Sequence, residues 1–203
     1  MKPSYGAALE DLKHAQTLEP KNPRFLLTLS LAYSLAGNMD EAIQTASQAA
    51  SLFPRDAQIR ATLADLFQQA RRPKQALEAY RQAMQIQPSD PRLLNNMAFT
   101  MLEHRMEVEN ALSLARESVR LLPETSFNLD TLGWAYYLNH MYPEAFETIS
   151  QARALASGST EIEFHYTLIA SKLGIIASPT PRLISLSGQG FPWLLEKRWH
   201  QQF

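Results

Sequence analysis

The stretch LDTLGWAYYLNHMYPEAFETISQA, residues 129–152, decides the fold of this 203-residue chain. Leu129, Leu132 and Tyr136 recur at three- and four-residue spacing, which predicts one buried face of an α-helix. Gly133 stands beside that face and carries no side chain, so a neighbouring helix can approach closely. The first half of the stretch therefore predicts a helix that packs tightly against another element.

The second half of the stretch predicts that other element. Ala145, Ile149 and Ala152 repeat the helical spacing, with small residues where two helices would cross. Pro143 falls in the first turn of the second helix, where a missing N–H group costs nothing. The stretch thus predicts two helices joined by a tight turn and packed as a hairpin.

The same pattern recurs along the chain at a nearly constant period. Three sets of equivalent residues share one spacing, and in all three sets the same interval is longer by a single position. The alanine set is Ala8, Ala42, Ala76, Ala111 and Ala145; the proline set is Pro20, Pro54, Pro88 and Pro123; the third set is Leu29, Leu63, Met97 and Leu132. Agreement among three sets, including the inserted residue, indicates a true internal repeat.

The repeat resembles the tetratricopeptide (TPR) repeat, whose pattern is W-x2-L-G-x2-Y, then A-x3-F, then P, at a period of about 34 residues. Leu129 takes the place of the Trp, and Ala145 and Ile149 fill the A-x3-F part. The closing proline is absent, since residues 157–159 read Ser-Gly-Ser. The resemblance implies an all-α fold, a right-handed α-solenoid of helix-turn-helix TPR repeats.

The period predicts the domain organisation. A TPR array is expected over 1–174, followed by a loop and a C-terminal capping helix over 175–203. The inserted residue is expected in the turn 104–109. Within the array we expect a half repeat at 5–20, full repeats at 23–56, 57–90, 91–125 and 126–159, and a partial repeat at 160–174.

The N-terminal half repeat has two interpretations. Residues 5–18 match only the second helix of a repeat, so the sequence is interpreted as a piece of a longer protein. The alternative is a natural half repeat whose bare face meets a partner or another copy of the chain.

The C-terminal segment leaves the repeat period but is rich in large apolar residues. Residues 191–200 are predicted to form a short helix that folds back as a cap over Leu168 and Ile169, which lack a following helix. Two alternatives remain: a helix on a membrane surface, or a segment that lies in the groove of its own or a neighbouring array. Self-association is therefore expected either through this tail or through the open N-terminal half repeat.

Composition excludes several classes of protein. The chain has 19 basic and 20 acidic residues, a net charge of −1, which argues against a nucleic-acid binder. It has no cysteine, hence no disulfide framework or thiolate metal site. The N-terminal residues contain no apolar signal-peptide core, and no apolar run is long enough for a transmembrane segment. Localisation is left open between cytoplasm and periplasm.

No catalytic or cofactor-binding motif is present, so we expect neither an enzyme nor a cofactor or metal site. The sequence lacks H-E-x-x-H, G-x-S-x-G and the glycine-rich phosphate motifs. The histidines are expected in solvent or in turns. They are His14, His104, His140, His165 and His200.

The TPR resemblance implies a binding surface. In TPR proteins the first helices of successive repeats line a concave groove that holds a peptide or a helix. The corresponding groove positions are Gln58, Ala61, Asp65, Gln68, Arg92, Asn95, Asn96, Phe99, Leu102, Asp130, Trp134 and Tyr137. Of these, the predicted peptide-binding residues are Asp65, Arg92, Asn95, Asn96, Phe99, Asp130, Trp134 and Tyr137. Trp134 is expected to be exposed in the groove. The lysines of a chaperone-type carboxylate clamp are absent.

The functional expectation is a non-catalytic scaffold or adaptor that binds a protein or peptide. The sequences NNMAF near Asn95 and LDTLGWAYY near Leu129 also resemble TPR arrays of bacterial envelope and exopolysaccharide-assembly proteins. That resemblance implies an alternative, a structural TPR segment of a larger bacterial secretion or envelope-assembly protein with the groove filled by its own chain.

Overall fold

Ten α-helices make up residues 6–176, the part of the chain that the structure, a computed structural model, describes. They are α1 (Gly6–Leu18), α2 (Pro23–Leu35), α3 (Met39–Leu52), α4 (Ala57–Gln69), α5 (Pro73–Ile86), α6 (Pro91–Glu103), α7 (Val108–Leu121), α8 (Ser126–Leu138), α9 (Tyr142–Leu155) and α10 (Thr160–Lys172). The capping helix predicted over residues 191–200 lies outside the described residues. The all-α fold is confirmed, with helices packed in sequential pairs.

The helices alternate between two kinds, which we call first and second helices. The first helices are α2, α4, α6, α8 and α10, and the second helices are α1, α3, α5, α7 and α9. Three-residue turns join α2 to α3, α4 to α5 and α8 to α9, whereas the turn from α6 to α7, residues 104–107, is longer by one position. That longer turn contains two residues with positive φ, Arg105 and Glu107, while each three-residue turn contains one. The inserted residue of the repeat is thus accommodated in this turn.

Polar side chains fix where the first helices begin. The side-chain oxygen of Asn22 accepts a hydrogen bond from the backbone N–H of Arg24 at 2.9 Å, and that of Asp90 accepts one from Arg92 at 2.9 Å. Asp56 does the same for the N–H of Ile59 at 3.1 Å. Such N-caps satisfy backbone donors that the helix itself cannot pair.

The repeating alanines lie at buried positions of the second helices. Ala42, Ala76, Ala111 and Ala145 are fully buried, as the repeat pattern predicts. Ala8 is exposed, because no first helix precedes α1 among the described residues. Small side chains at these positions let paired helices approach closely and pack to high density.

Gly133 marks the tightest approach predicted from the sequence, and the structure confirms it. A Cβ atom built on Gly133 would lie 3.3 Å from both the Cβ and the backbone N of Ile149. It would also lie 3.5 Å from the carbonyl oxygen of Ala145. The backbone of α8 therefore rests almost directly on α9.

The chain divides into two compact units, one ending at His104 and the other beginning at Arg105. In the first unit, α2, α3 and α4 bury an apolar cluster around Leu26, Ala49 and Ile59. A neighbouring cluster includes Ala46 and Leu66.

In the second unit, Ile149 and Ala152 of α9 pack with Leu129 of α8 and with Ile162 and Ile169 of α10. Ile169, which the sequence predicted to need a cap, is fully buried in this cluster, while the cap itself lies outside the described residues and stays a prediction. No helix within residues 6–176 combines the length and the apolar character that a membrane crossing requires.

Candidate functional site

A row of polar side chains links successive first helices in the first unit. Asp65 of α4 accepts a hydrogen bond from the amide nitrogen of Asn96 of α6 at 3.3 Å. It also accepts one from the hydroxyl of Tyr80 on α5. Burial raises the pKa of Asp65 above its usual value, while these two hydrogen bonds and the charge of Arg92 offset part of the rise. Asp65 is half-buried and thus held in place by groups from two other helices.

Arg92 lies at the start of α6 with its guanidinium exposed. Its Nη2 contacts Oε1 of Gln58 and Oδ2 of Asp90, both at 3.4 Å. These contacts are at the long end of the hydrogen-bond range. Because a guanidinium offers five N–H donors, Arg92 retains capacity to bind an incoming acceptor.

Other predicted groove residues of the first unit are less accessible. Phe99 is half-buried, whereas Asn95 is buried and its side-chain oxygen has no hydrogen-bond partner within residues 6–176. Ala61 and Leu102 are buried as well, so the expectation that they line an open groove is wrong. The accessible part of the predicted set in this unit is Gln58, Asp65, Gln68, Arg92, Asn96 and Phe99.

In the second unit the predicted residues belong to a buried polar and aromatic stack. Asp130 of α8 and His165 of α10 form a contact of 2.8 Å between Oδ1 and Nδ1. The ring of Trp134 stacks on that of His165, with centroids 4.4 Å apart and planes 15° apart. Trp134 also stacks on Tyr137, with centroids 4.9 Å apart.

The exposure expected for Trp134 is therefore wrong. Its side chain is 3% exposed, because Tyr137 and His165 contribute rings that pack against it. Asp130 is buried as well. Binding of a peptide by Asp130 and Trp134 stays a prediction, but both side chains are buried in this structure.

Tyr137 is the ring of this stack that is partly exposed to solvent. It is half-buried, and its ring lies 5.7 Å from that of Tyr142 at the start of α9. The ammonium of Lys172 lies 5.7 Å from the centroid of the Tyr142 ring. Burial, with a smaller contribution from Tyr142, raises the pKa of Tyr137, and the charge of Arg105 opposes that rise. Tyrosine is enriched among the residues that contribute most to binding at protein interfaces.

The charge state of His165 follows from its surroundings. Burial acts to lower its pKa, but the attraction of Asp130, the hydrogen bond to Asp130 and the charge of Glu161 together outweigh that effect. The pKa of His165 is therefore raised above 6.5. Protonated, the imidazolium pairs with the carboxylate and lies against the face of Trp134, a favourable cation–π arrangement.

This pair predicts a pH-dependent stability. The pKa of His165 is higher in the folded chain than in the unfolded chain, so the contribution of the pair is complete below about pH 6.5 and is lost as pH rises through the folded-state pKa. We expect the urea midpoint to fall between about pH 6 and pH 9, and we expect His165→Gln to reduce that fall. The control is His14→Gln at an exposed position of α1. An equal pH dependence in His165→Gln and the parent would contradict the assignment.

Sequence analysis missed two residues of these networks, Tyr80 and His165. His165 was expected in solvent or in a turn, which is wrong, since it is buried in α10. The sequence did contain a signal for the contact between Asp130 and His165. The two residues lie about one repeat apart, so the repeat places them on neighbouring first helices, α8 and α10. Within residues 6–176 no three histidine, aspartate or glutamate side chains come together in a way that could hold a metal ion.

Comparison with known proteins agrees with the repeat pattern. Two family models, both described as tetratricopeptide repeat, match residues 4–66 and 57–90. A search of curated protein sequences gives no significant match.

Many solved structures share the fold. PilW, described as a widely conserved type IV pilus biogenesis factor, aligns with a TM-score of 0.76 at 18% identity, over 93% of this chain and 87% of PilW. PilF of Pseudomonas aeruginosa aligns with a TM-score of 0.67 at 25% identity, over 83% of this chain and 76% of PilF. MamA of Desulfovibrio magneticus RS-1 aligns with a TM-score of 0.68 at 14% identity, over 75% of this chain and 86% of MamA. At identities this low, PilW and MamA indicate the fold alone.

Proposed function

We propose that this chain binds a peptide or a helix on a surface formed by the first helices of one unit, because two tetratricopeptide-repeat models match residues 4–66 and 57–90 and such repeats are generally scaffolds for protein–protein interaction. The observation that carries the proposal is the row of polar groups in the first unit. Successive first helices bring amide, carboxylate and guanidinium groups into contact there. A single surface that repeats donors and acceptors from helix to helix suits an extended or helical segment with regularly spaced polar groups.

The long hydrogen bonds between neighbouring first helices support the proposal, because a bound peptide could replace one partner in them. The contacts of Arg92 and of Asn96 with neighbouring first helices measure 3.4 and 3.3 Å, longer than the usual range of about 2.7–3.2 Å for N–H···O hydrogen bonds. A backbone carbonyl of a bound peptide can replace such a partner at little cost, because the donor is paired before and after binding. Tyr137 and Phe99, both half-buried, supply apolar contact area in their own units.

A peptide library displayed on phage tests the proposal. The immobilised full chain is panned, and the Kd values of selected peptides are measured for the parent and for Arg92→Ala, Asn96→Ala and Tyr137→Ala. We expect at least one of these changes to weaken binding by about tenfold, which corresponds to about 1.4 kcal/mol. Arg81→Ala is the matched control, because Arg81 is an exposed arginine on the second helix α5. Trp134 and Asn95 are unsuitable probes, since they are buried and their replacement would disturb folding.

The result contradicts the proposal if peptides are selected and all three variants bind them as tightly as the parent. Binding lost in Arg81→Ala would instead place the site on the second helices. Urea midpoints of each variant separate loss of binding from loss of fold.

A second role is a structural segment of a larger bacterial secretion or envelope-assembly protein, with the binding surface filled by its own chain. The resemblance of NNMAF and LDTLGWAYY to TPR arrays of bacterial envelope-assembly proteins motivates it, and PilF of Pseudomonas aeruginosa is similar at 25% identity over 83% of this chain. The same library distinguishes the roles. If the chain's own tail fills the surface, peptides are selected only after Phe191, Trp193 and Trp199 are changed to serine.

A further inference from the structure

The ninth residue of each first helix occupies the same place in the repeat. Helices α2, α4 and α6 begin at Pro23, Ala57 and Pro91, which are equivalent positions of successive repeats. In α2, α4, α6, α8 and α10 the ninth residues are Leu31, Asp65, Phe99, Trp134 and Leu168. A single carboxylate, that of Asp65, therefore stands in an otherwise apolar row.

Leu31, Asp65 and Phe99 lie on one surface of the first unit. The hydroxyl of Ser34 on α2 donates to Oε1 of Gln69 on α4 at 2.9 Å. Ser34 follows Leu31 by three residues and Gln69 follows Asp65 by four, spacings that keep side chains on one side of a helix. Leu31 is 48% exposed, and Phe99 is half-buried. The carboxylate thus lies between an exposed aliphatic side chain and a partly exposed ring.

The hydrogen bonds of Asp65 leave one of its oxygens open. Both donors, the hydroxyl of Tyr80 and the amide of Asn96, are neutral, and both bind Oδ1. Oδ2 accepts no hydrogen bond within residues 6–176 and is not fully buried, so it can accept one from a ligand. An asparagine would accept the same two hydrogen bonds, and an amide costs less to bury than an unpaired charge. The negative charge is therefore not needed for the links to α5 and α6.

Arg92 does not occupy this place. Its charge acts on Asp65, but its guanidinium contacts Gln58. Gln58 precedes Asp65 on α4 by seven residues, which is about 10 Å along the helix axis. Among the described residues, Asp65 thus has no cation in hydrogen-bond contact.

We propose that the partner of the first unit presents a lysine or arginine side chain to Oδ2 of Asp65, flanked by apolar side chains that contact Leu31 and Phe99. This inference rests on the proposed function, since it assigns the chemistry of the partner at that surface. A hydrogen bond between a cation and a carboxylate is stronger than one between neutral groups. Apolar contacts on both sides exclude water, which strengthens the attraction further. An acidic side chain at the same point of a partner is disfavoured, because like charges repel.

The distance between first helices sets the spacing of these groups in the partner. Packed helices lie about 8–10 Å apart, and an extended chain advances about 3.3 Å per residue. An extended segment that crosses α2, α4 and α6 therefore places its basic residue about three positions from each apolar residue. The expected pattern is apolar-x-x-basic-x-x-apolar.

A double-mutant cycle between the chain and its selected peptides tests the inference. A random peptide library on phage is panned against the immobilised full chain, and each selected peptide is synthesised with its basic residue and with glutamine in that place. We expect glutamine to raise the Kd for the parent about tenfold and the Kd for Asp65→Asn less than about twofold. Asparagine keeps the oxygen that accepts from Tyr80 and Asn96. Asp40→Asn is the matched control, because Asp40 is an exposed aspartate on the second helix α3.

A second cycle pairs Leu31→Ser with serine at an apolar position of the peptide. Because Leu31 is exposed, this variant retains the fold, and the change in the peptide should weaken binding to the parent but not to Leu31→Ser. Selected peptides without enrichment of lysine and arginine, or equal effects of glutamine on the parent and on Asp65→Asn, would overturn the inference and leave the proposed function intact. Failure of the parent to select any peptide would overturn both. A urea midpoint for each variant equal to that of the parent qualifies it for comparison.

Discussion

Replacing Asp130 with alanine should lower the free energy of unfolding by about 3–5 kcal/mol, the range seen when one partner of a buried ion pair is removed. Asp130 and His165 are both nearly inaccessible and lie 2.8 Å apart. Without the carboxylate, the imidazole must either remain charged in an apolar site or lose its proton, and both are unfavourable. The ring of His165 would also lose the hydrogen bond that holds it against Trp134.

The matched control for this prediction is Asp40→Ala. Asp40 forms an ion pair of similar length with Arg72, 2.9 Å, but its side chain is 83% exposed. Exposed pairs contribute at most about 1 kcal/mol. Urea unfolding of both variants, monitored by circular dichroism, gives the comparison. Similar losses in the two variants would mean that the buried pair does not stabilise the second unit in the way its geometry indicates.

Gly133→Leu should destabilise the chain by about 3 kcal/mol or more, at the upper end of the effect of overpacking. Even a methyl group at this position would lie 3.3 Å from a backbone atom of α9. A backbone atom cannot rotate away as a side chain can, so α8 and α9 would have to separate. The separation would loosen the apolar cluster that includes Leu129 and Ile149.

Gly133→Ala provides a graded comparison for this prediction. Alanine adds the Cβ alone and improves the helical preference of α8 by roughly 1 kcal/mol, so its effect should be much smaller than that of leucine. A denaturant midpoint for Gly133→Leu equal to that of the parent would show that the two helices are not in contact at this glycine.

The sequence predicted those parts of the fold that depend on repetition. The buried alanines and the all-α fold depend on residues that recur once in every repeat, so each repeat supports the assignment of the others. The close approach at Gly133 was predicted from the pattern of its own hairpin. The helical period also identified the face on which first and second helices meet. These features could be predicted because they are local to one hairpin.

The surface of the first helices was harder to predict, because its exposure depends on the next repeat. Trp134 was expected in solvent, since it lies off the apolar face of α8. It is buried because the residue that reaches it from α10 is an aromatic ring, His165. The period gives the place of a neighbouring residue but not whether its side chain is large enough to cover the site. Asp65 and Asn96, in the same part of the repeat in the first unit, remain half-buried.

The packing of helices only with close neighbours in sequence bears on how this chain folds. The principal contacts within each unit join helices that are adjacent or next but one, such as α8 with α9 and α8 with α10. Each contact therefore closes only a short loop, and the entropy lost on closing it is small. Chains dominated by such local contacts fold quickly, and nucleation can begin at any hairpin of a repeat array. During synthesis, a hairpin such as α2–α3 can pack before the residues of α8 have been added to the chain.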